Sequence, residues 1–191
     1  MENELGKEKV SFFKGFISDW KGVLLKPKDF FATTPMEYGK ALKFASVNIF
    51  VYSIISTFFL LFFTSILEDL FLNPILLFLF GFIFSLLSLF IGLFISAFIF
   101  HCFFKMFRGK GCYKESLGIL SYSSVLYIFS LIPVVNLVSA MYFYYIAIRG
   151  GEVKYNLSFG KSTTAVLLPV LIILVLLLLA LIVVFALGNK P

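Results

Sequence analysis

The sequence predicts an all-α fold, a polytopic integral membrane helical bundle with five transmembrane spans, the third and fourth a short hairpin broken at a proline. Three observations carry the prediction. The 191 residues are 61% hydrophobic and only 14% charged, whereas a soluble domain is about 45–50% apolar and about 25% charged. The charges are absent from four long stretches, residues 44–67, 70–104, 116–148 and 162–189. A helix rising ~1.5 Å per residue needs about 20 apolar residues to cross ~30 Å of hydrocarbon, so stretches of this length read as spans. Finally, a five-span arrangement puts 15 of the 16 Lys and Arg residues on one side.

The first 43 residues are polar, mixed in charge and without a signal-peptide pattern, and form a cytoplasmic N-terminal segment. Within it Phe13, Phe16, Ile17, Trp20, Val23 and Leu24 recur at helical spacing, with lysines on other faces. Such a stripe predicts an amphipathic helix lying in the membrane interface, or else packing against the rest of the protein. Thr34 to Glu37 reads as a capping box with Pro35 at the first helical position, so a helix from about Pro35 is expected to run into the first span.

The membrane domain covers 44–189, with spans at about 44–67, 75–104, 116–132, 134–148 and 162–188. Glu68 and Asp69 close the first, and Asn73-Pro74 supplies an N-cap and first helical residue for the second. The 116–148 stretch is either one oversized helix or a hairpin broken at Pro133. Retention of cations in the cytoplasm favours the hairpin, because a single span would change the distribution from 15 against 1 to 13 against 3. Its arms are short for full spans and read as a thin or partly re-entrant pair. In the last span Pro169 is expected to kink the helix near its cytoplasmic end. The N-terminus is thus cytoplasmic and the C-terminus lies on the opposite side.

"HCFFKMFRGKGCYKES", residues 101–116, holds the single His and both Cys. Metal binding is not expected: the zinc-type repeat of ligand spacings is missing. A phosphate-binding loop is not expected either, since the Gly-x4-Gly-Lys-Ser/Thr pattern is incomplete. His101 and Cys102 are sequence neighbours and point ~100° apart on a helix, which does not make a nucleophile and base. The expectation is a basic cytoplasmic loop surface, made by His101, Lys105, Arg108, Lys110, Lys114, Arg149, Lys154 and Lys161, with Gly109 and Gly111 allowing the turn. No catalytic residue, cofactor or metal ligand is assigned. The net charge of +6 is read as topological rather than as a nucleic-acid signal.

The uncharged stretches argue against proton relays and intramembrane proteolysis, which need ionisable groups at depth. One intramembrane pattern stands out: Gly81, Ser85, Ser88, Gly92 and Ser96 form a small-residue stripe, of the kind that lets helices approach closely.

The order "LLKPKDFF", "HCFFKMFRGKGCYKESLGILSYSS", "LIPVVNLVSAMYFYYIAIRG" and a final apolar helix resembles the Yip family of Ypt/Rab-interacting membrane proteins, over about residues 22–187. The resemblance implies five spans, a cytoplasmic N-terminus and no enzymatic activity. The short N-terminal tail and the missing Asp-Leu-Tyr-Gly-Pro motif are more similar to the bacterial and archaeal branch, so binding of a Rab-type GTPase is not carried over. The expected function is a membrane scaffold or adaptor, possible partners being membrane lipids, another protein or a second copy. The alternative is a small transporter or channel for a neutral or lipid-like solute, using the serine-rich third span.

Overall fold

The computed structural model describes residues 2–66 and 73–188, with side chains described over 13–63 and 73–185. Glu68 and Asp69 lie outside the described residues. Every described element is helical: α1 (Glu2–Leu25), α2 (Pro27–Thr33), α3 (Tyr38–Ile66), α4 (Pro74–Met106), α5 (Tyr113–Ser123), two 3-10 turns (Ser124–Tyr127 and Phe129–Leu131), α6 (Pro133–Lys154) and α7 (Phe159–Gly188). Among the described residues, three helices are long and apolar enough to cross a membrane: α3, α4 and α7.

Local chemistry explains most boundaries. Asn73 caps α4 by accepting a hydrogen bond from the Ile75 amide at 2.9 Å, and Pro74 opens that helix. Ile132 is extended ahead of Pro133, which starts α6, so the chain breaks where the proline requires. Three features differ from the sequence reading. The helix expected from Pro35 begins instead at Tyr38, because the separate helix α2 ends at Thr33 and leaves 34–37 as a connector, with Thr34 already extended. The 116–132 arm is α-helical only to Ser123 and continues as 3-10 turns. There Ser123, Ser124 and Ser130 bond back to the carbonyls of Ile119, Ser121 and Tyr127, a competition that loosens α-helical geometry. The stretch after Arg149 is not a loop but the last turns of α6, which end at Lys154.

The buried core occupies one half of the molecule. It takes Ala41, Phe44, Ala45 and Ile49 from α3, Leu93, Ala97, Phe100 and Phe104 from α4, nearly all of α5, and Ala165 and Val166 from α7. Beyond it, α3, α4 and α7 continue with exposed apolar side chains, Phe58–Phe63, Ile75–Leu87 and Leu171–Phe185 among them. Surfaces of that composition are stable only against lipid.

Helix α6 is the packing centre of the buried half. At Gly150 an added Cβ would meet the Ile119 side chain at 2.7 Å, and at Gly151 it would meet Phe104 Cε1 and Ser162 Oγ at 2.5 Å. These glycines bring α5, α4 and α7 against α6. Gly151→Ala is therefore expected to lower stability by ~1–3 kcal/mol through overpacking, read as a lower thermal midpoint in mild detergent. Gly92→Ala, with nothing within 4 Å of the new methyl, should leave the midpoint unchanged or raise it.

Candidate functional site

The polar end of the bundle is built around Tyr155, a residue that sequence reasoning missed. Asn156, next in the chain, is left-handed at φ 52° and turns the chain from α6 into α7. Tyr155 is fully buried, and its hydroxyl donates to the Cys112 carbonyl at 2.7 Å. That donation uses its one proton. The phenol oxygen therefore accepts from Ser116 Oγ at 2.7 Å and from His101 Nδ1 at 2.6 Å, which puts the proton on Nδ1 of the imidazole. Burial pushes the phenol above its ordinary pKa, with the Ser116 hydrogen bond opposing, so the group stays a neutral donor.

The 107–112 segment wraps around the same ring. The Lys110 amide donates to the Tyr155 carbonyl and the Gly109 amide to the Phe104 carbonyl, both at 2.9 Å. A Cβ on Gly109 or Gly111 would meet Tyr155 Cδ1 at 2.7 or 2.9 Å. The expected role of these glycines is thereby corrected. Neither has positive φ; Arg108 carries the left-handed turn at φ 66°, and the glycines are there because Tyr155 leaves no room for a side chain. At the start of α5, Glu115 accepts from the Cys112 amide at 2.8 Å and the Cys112 thiol at 2.6 Å. Partial burial opposes ionisation of Glu115, but these two donors, a backbone amide hydrogen bond at Glu115 and the Lys114 charge together hold the carboxyl below its ordinary value.

The predicted basic residues divide into two sets. Arg149 pairs with Glu152 at 2.9 Å and lies over the Tyr145 and Phe159 rings. Lys154 donates to the Thr34 carbonyl at 2.7 Å, Lys114 sits over Tyr38, and His101 is held by Tyr155. These four are structural. Lys105, Arg108, Lys110 and Lys161 are exposed, and their side chains make no ion pair or hydrogen bond among the described residues. Glu152 also takes Lys28 at 2.7 Å, which ties α2 to α6. The segments 26–40, 105–115 and 149–161 thus meet at one end of the bundle.

The other predicted sets also divide. On α1, Val23 is buried, Trp20 Nε1 donates to Asn48 Oδ1 at 3.0 Å, Phe16 packs on Phe44 and Leu24 is half-buried, whereas Phe13 and Ile17 are exposed. In the small-residue stripe, Gly81 and Ser85 face α3, where Ser85 Oγ donates to Ser53 Oγ at 3.2 Å. Ser88 is exposed, Gly92 faces open space and Ser96 turns toward α6 and α7. The stripe is not one interface within this fold. Among the described residues no group of three or more His, Cys, Asp or Glu side chains is placed to hold a metal ion.

Comparison with known proteins decides the family. The Yip1 domain matches residues 21–182, most of the chain. The chain belongs to the Yip family. No curated protein and no solved structure matched it. In this Yip-family member the match runs from the last turn of α1 to near the end of α7, and so includes the Tyr155 cluster and both basic segments.

Two outcomes follow from the cluster. Tyr155→Phe leaves the Cys112 carbonyl, Ser116 and His101 without their shared partner, and should destabilise the protein by ~1–3 kcal/mol. The same variant should speed amide exchange over 107–112, while Lys105→Ala leaves both readouts within error. The second outcome concerns pH. Lys28, ahead of Arg149, holds the Glu152 carboxyl below its ordinary value against partial burial. A depressed carboxylate stabilises the fold fully above its unfolded pKa and loses that contribution as pH falls through the folded one. The thermal-midpoint gap between the natural protein and Glu152→Gln should therefore be largest near neutral pH and close below the ordinary carboxylate range.

Proposed function

We propose that this Yip-family protein is a non-enzymatic membrane scaffold or adaptor, whose basic end faces the cytoplasm and contacts anionic lipid headgroups or a partner. The topology that goes with it has five membrane-embedded segments: α3, α4, the two arms of the α5–α6 hairpin, and α7. The N-terminus is cytoplasmic and the C-terminus lies on the opposite side. In this reading α1 lies along the interface, anchored at Trp20, with Phe13 and Ile17 turned to lipid.

The observation that supports this reading is the division of the cations. Arg149, Lys154 and Lys114 are occupied in holding the end together, while Lys105, Arg108, Lys110 and Lys161 remain exposed on the same end. Each juxtamembrane cation is worth about 1 kcal/mol beside anionic lipid, so the four supply up to ~4 kcal/mol before salt screening.

The test is the combined variant K105Q/R108Q/K110Q/K161Q, in nanodiscs of phosphatidylcholine with or without phosphatidylglycerol. Its preference for the anionic lipid should fall by at least about tenfold. An unchanged preference removes the headgroup role. Topology has an independent check at Asn156-Leu157-Ser158, an acceptor sequence beside Tyr155 whose Asn156 and Ser158 are exposed. The cytoplasmic assignment requires it to stay unglycosylated in a eukaryotic host, so a glycan there reverses the orientation.

A further inference from the structure

The far end of the α5–α6 hairpin carries a second site, with chemistry unlike the basic end. The hairpin tip meets α3 at Tyr52, whose ring lies 6.0 Å from that of Tyr127, and Leu89 of α4 lines the same cavity. Tyr52 is 14 residues into α3 and 14 short of its end, so roughly 21 Å of that helix continues past the tip at ~1.5 Å per residue. Leu89 stands 15 residues from Pro74, leaving roughly 22 Å of α4 beyond it. Away from the α3–α4 contact at Ser53 and Thr57, the described side chains of those continuations are mostly apolar and exposed, from 58 to 63 on α3 and from 75 to 87 on α4, and α7 extends likewise over 171–185. Side chains of that kind belong in hydrocarbon, so the tip ends inside the membrane and α5–α6 re-enters on the side it left.

At this depth the tip borders a cavity of about 340 Å³. Its polar lining is Tyr52, Tyr127, Ser130, Asn136, Ser139 and Tyr144, with no charged residue. The hydroxyls of Tyr52, Ser139 and Tyr144 and the Asn136 carboxamide make no hydrogen bond among the described residues, whereas the Ser130 hydroxyl is already bonded to the Tyr127 carbonyl. Unpaired polar groups in hydrocarbon are costly. Asn136 and Ala140 are exposed at its edge, so the cavity is reached sideways from lipid.

We propose that this cavity binds the uncharged, hydroxyl-bearing head of a neutral lipid, with its hydrocarbon tails left in the bilayer. Volume, depth and lining select that class. The cavity is within the ordinary range for ligand sites, about 300–1,000 Å³. An ionic headgroup would find no counter-charge there and would lose its hydration. A diacylglycerol-type head supplies both donors and acceptors to the phenols and the carboxamide. The site is independent of the basic end, so either can fail alone.

The test uses the full chain in phosphatidylcholine nanodiscs with a photoreactive diacylglycerol, its diazirine close to the glycerol. Labelling should map to Tyr52 or residues 124–144, be competed by plain diacylglycerol, and exceed labelling by a matched phosphatidylglycerol probe. Ala140→Phe fills the groove without removing a hydrogen-bonding group, and Y52F/N136L removes two of them while keeping the shape near-natural. Each should lower labelling by about five-fold or more, the scale of one buried hydrogen bond. Equal labelling by the charged probe overturns the proposal. So does competition-insensitive labelling, or labelling of the natural chain that maps elsewhere. Undiminished labelling in both variants, with the natural thermal midpoint, overturns it as well.

Discussion

The polar end of this protein depends on one phenol. Tyr155 is the point where α4, α5 and α6 are joined by hydrogen bonds, through His101, through Ser116 with the Cys112 carbonyl, and through its own backbone to Lys110. A buried hydroxyl with three partners fixes direction as well as distance, because its one proton and two acceptor positions are all used. The segment 107–112 and the turn after α6 would otherwise be free to separate. Gly109 and Gly111 make the same point sterically: the loop follows the ring so closely that a methyl group at either position would collide with it.

From that closed end the packing weakens along the helix axes. The core of buried side chains lies in the half containing α5, and α3, α4 and α7 leave it as three apolar helices with mostly exposed surfaces. In water this would be an unstable shape. In a bilayer it is reasonable, since lipid tails cover Leu and Phe as well as another helix does and remove the hydrophobic drive for the helices to stay in contact, leaving close packing and hydrogen bonds such as Ser85–Ser53. The hairpin supplies the bulk that holds the buried half together. Its irregular 3-10 backbone is enclosed by α3 and α6 and lines a cavity, the conditions under which non-helical backbone is acceptable in hydrocarbon.

How much of this could be read from the chain follows from the same physics. The three long apolar helices and the break at Pro133 were legible, because charge depletion and a proline act locally. The small-residue stripe was legible as a pattern but not as an interface. Which side of each span is buried was hidden, since lipid and protein core select the same residues. On α4, Phe104 is fully buried and Phe98 is 60% exposed, and nothing in their neighbours tells them apart. Helix α2 was missed because seven residues carry too little periodicity, and Pro27 was its only marker. Tyr155 sits in a polar turn and would have been taken for an interfacial aromatic. The nearest signal was the Gly-Gly pair at 150–151 and the Gly-x-Gly at 109–111, both of which mark close approach rather than flexibility.

The cations show why counting charge gives topology more readily than function. Fifteen of the sixteen Lys and Arg residues fall in the N-terminal segment and in 105–114 and 149–161, and clustering of that kind orients a membrane chain whatever each residue does afterwards. Folding then consumes some of them: Arg149 and Lys28 converge on Glu152, Lys40 on Asp19, and Lys154 on a backbone carbonyl. What remains for an outside ligand is the residue of that process, and it is set by geometry that sequence spacing does not encode. Arg108 is the clearest case. Its left-handed backbone exists to carry the chain around Tyr155, and the same turn places its guanidinium in the exposed loop between Lys105 and Lys110. The constraint that closes the polar end therefore also sets out the positive charge available on its surface.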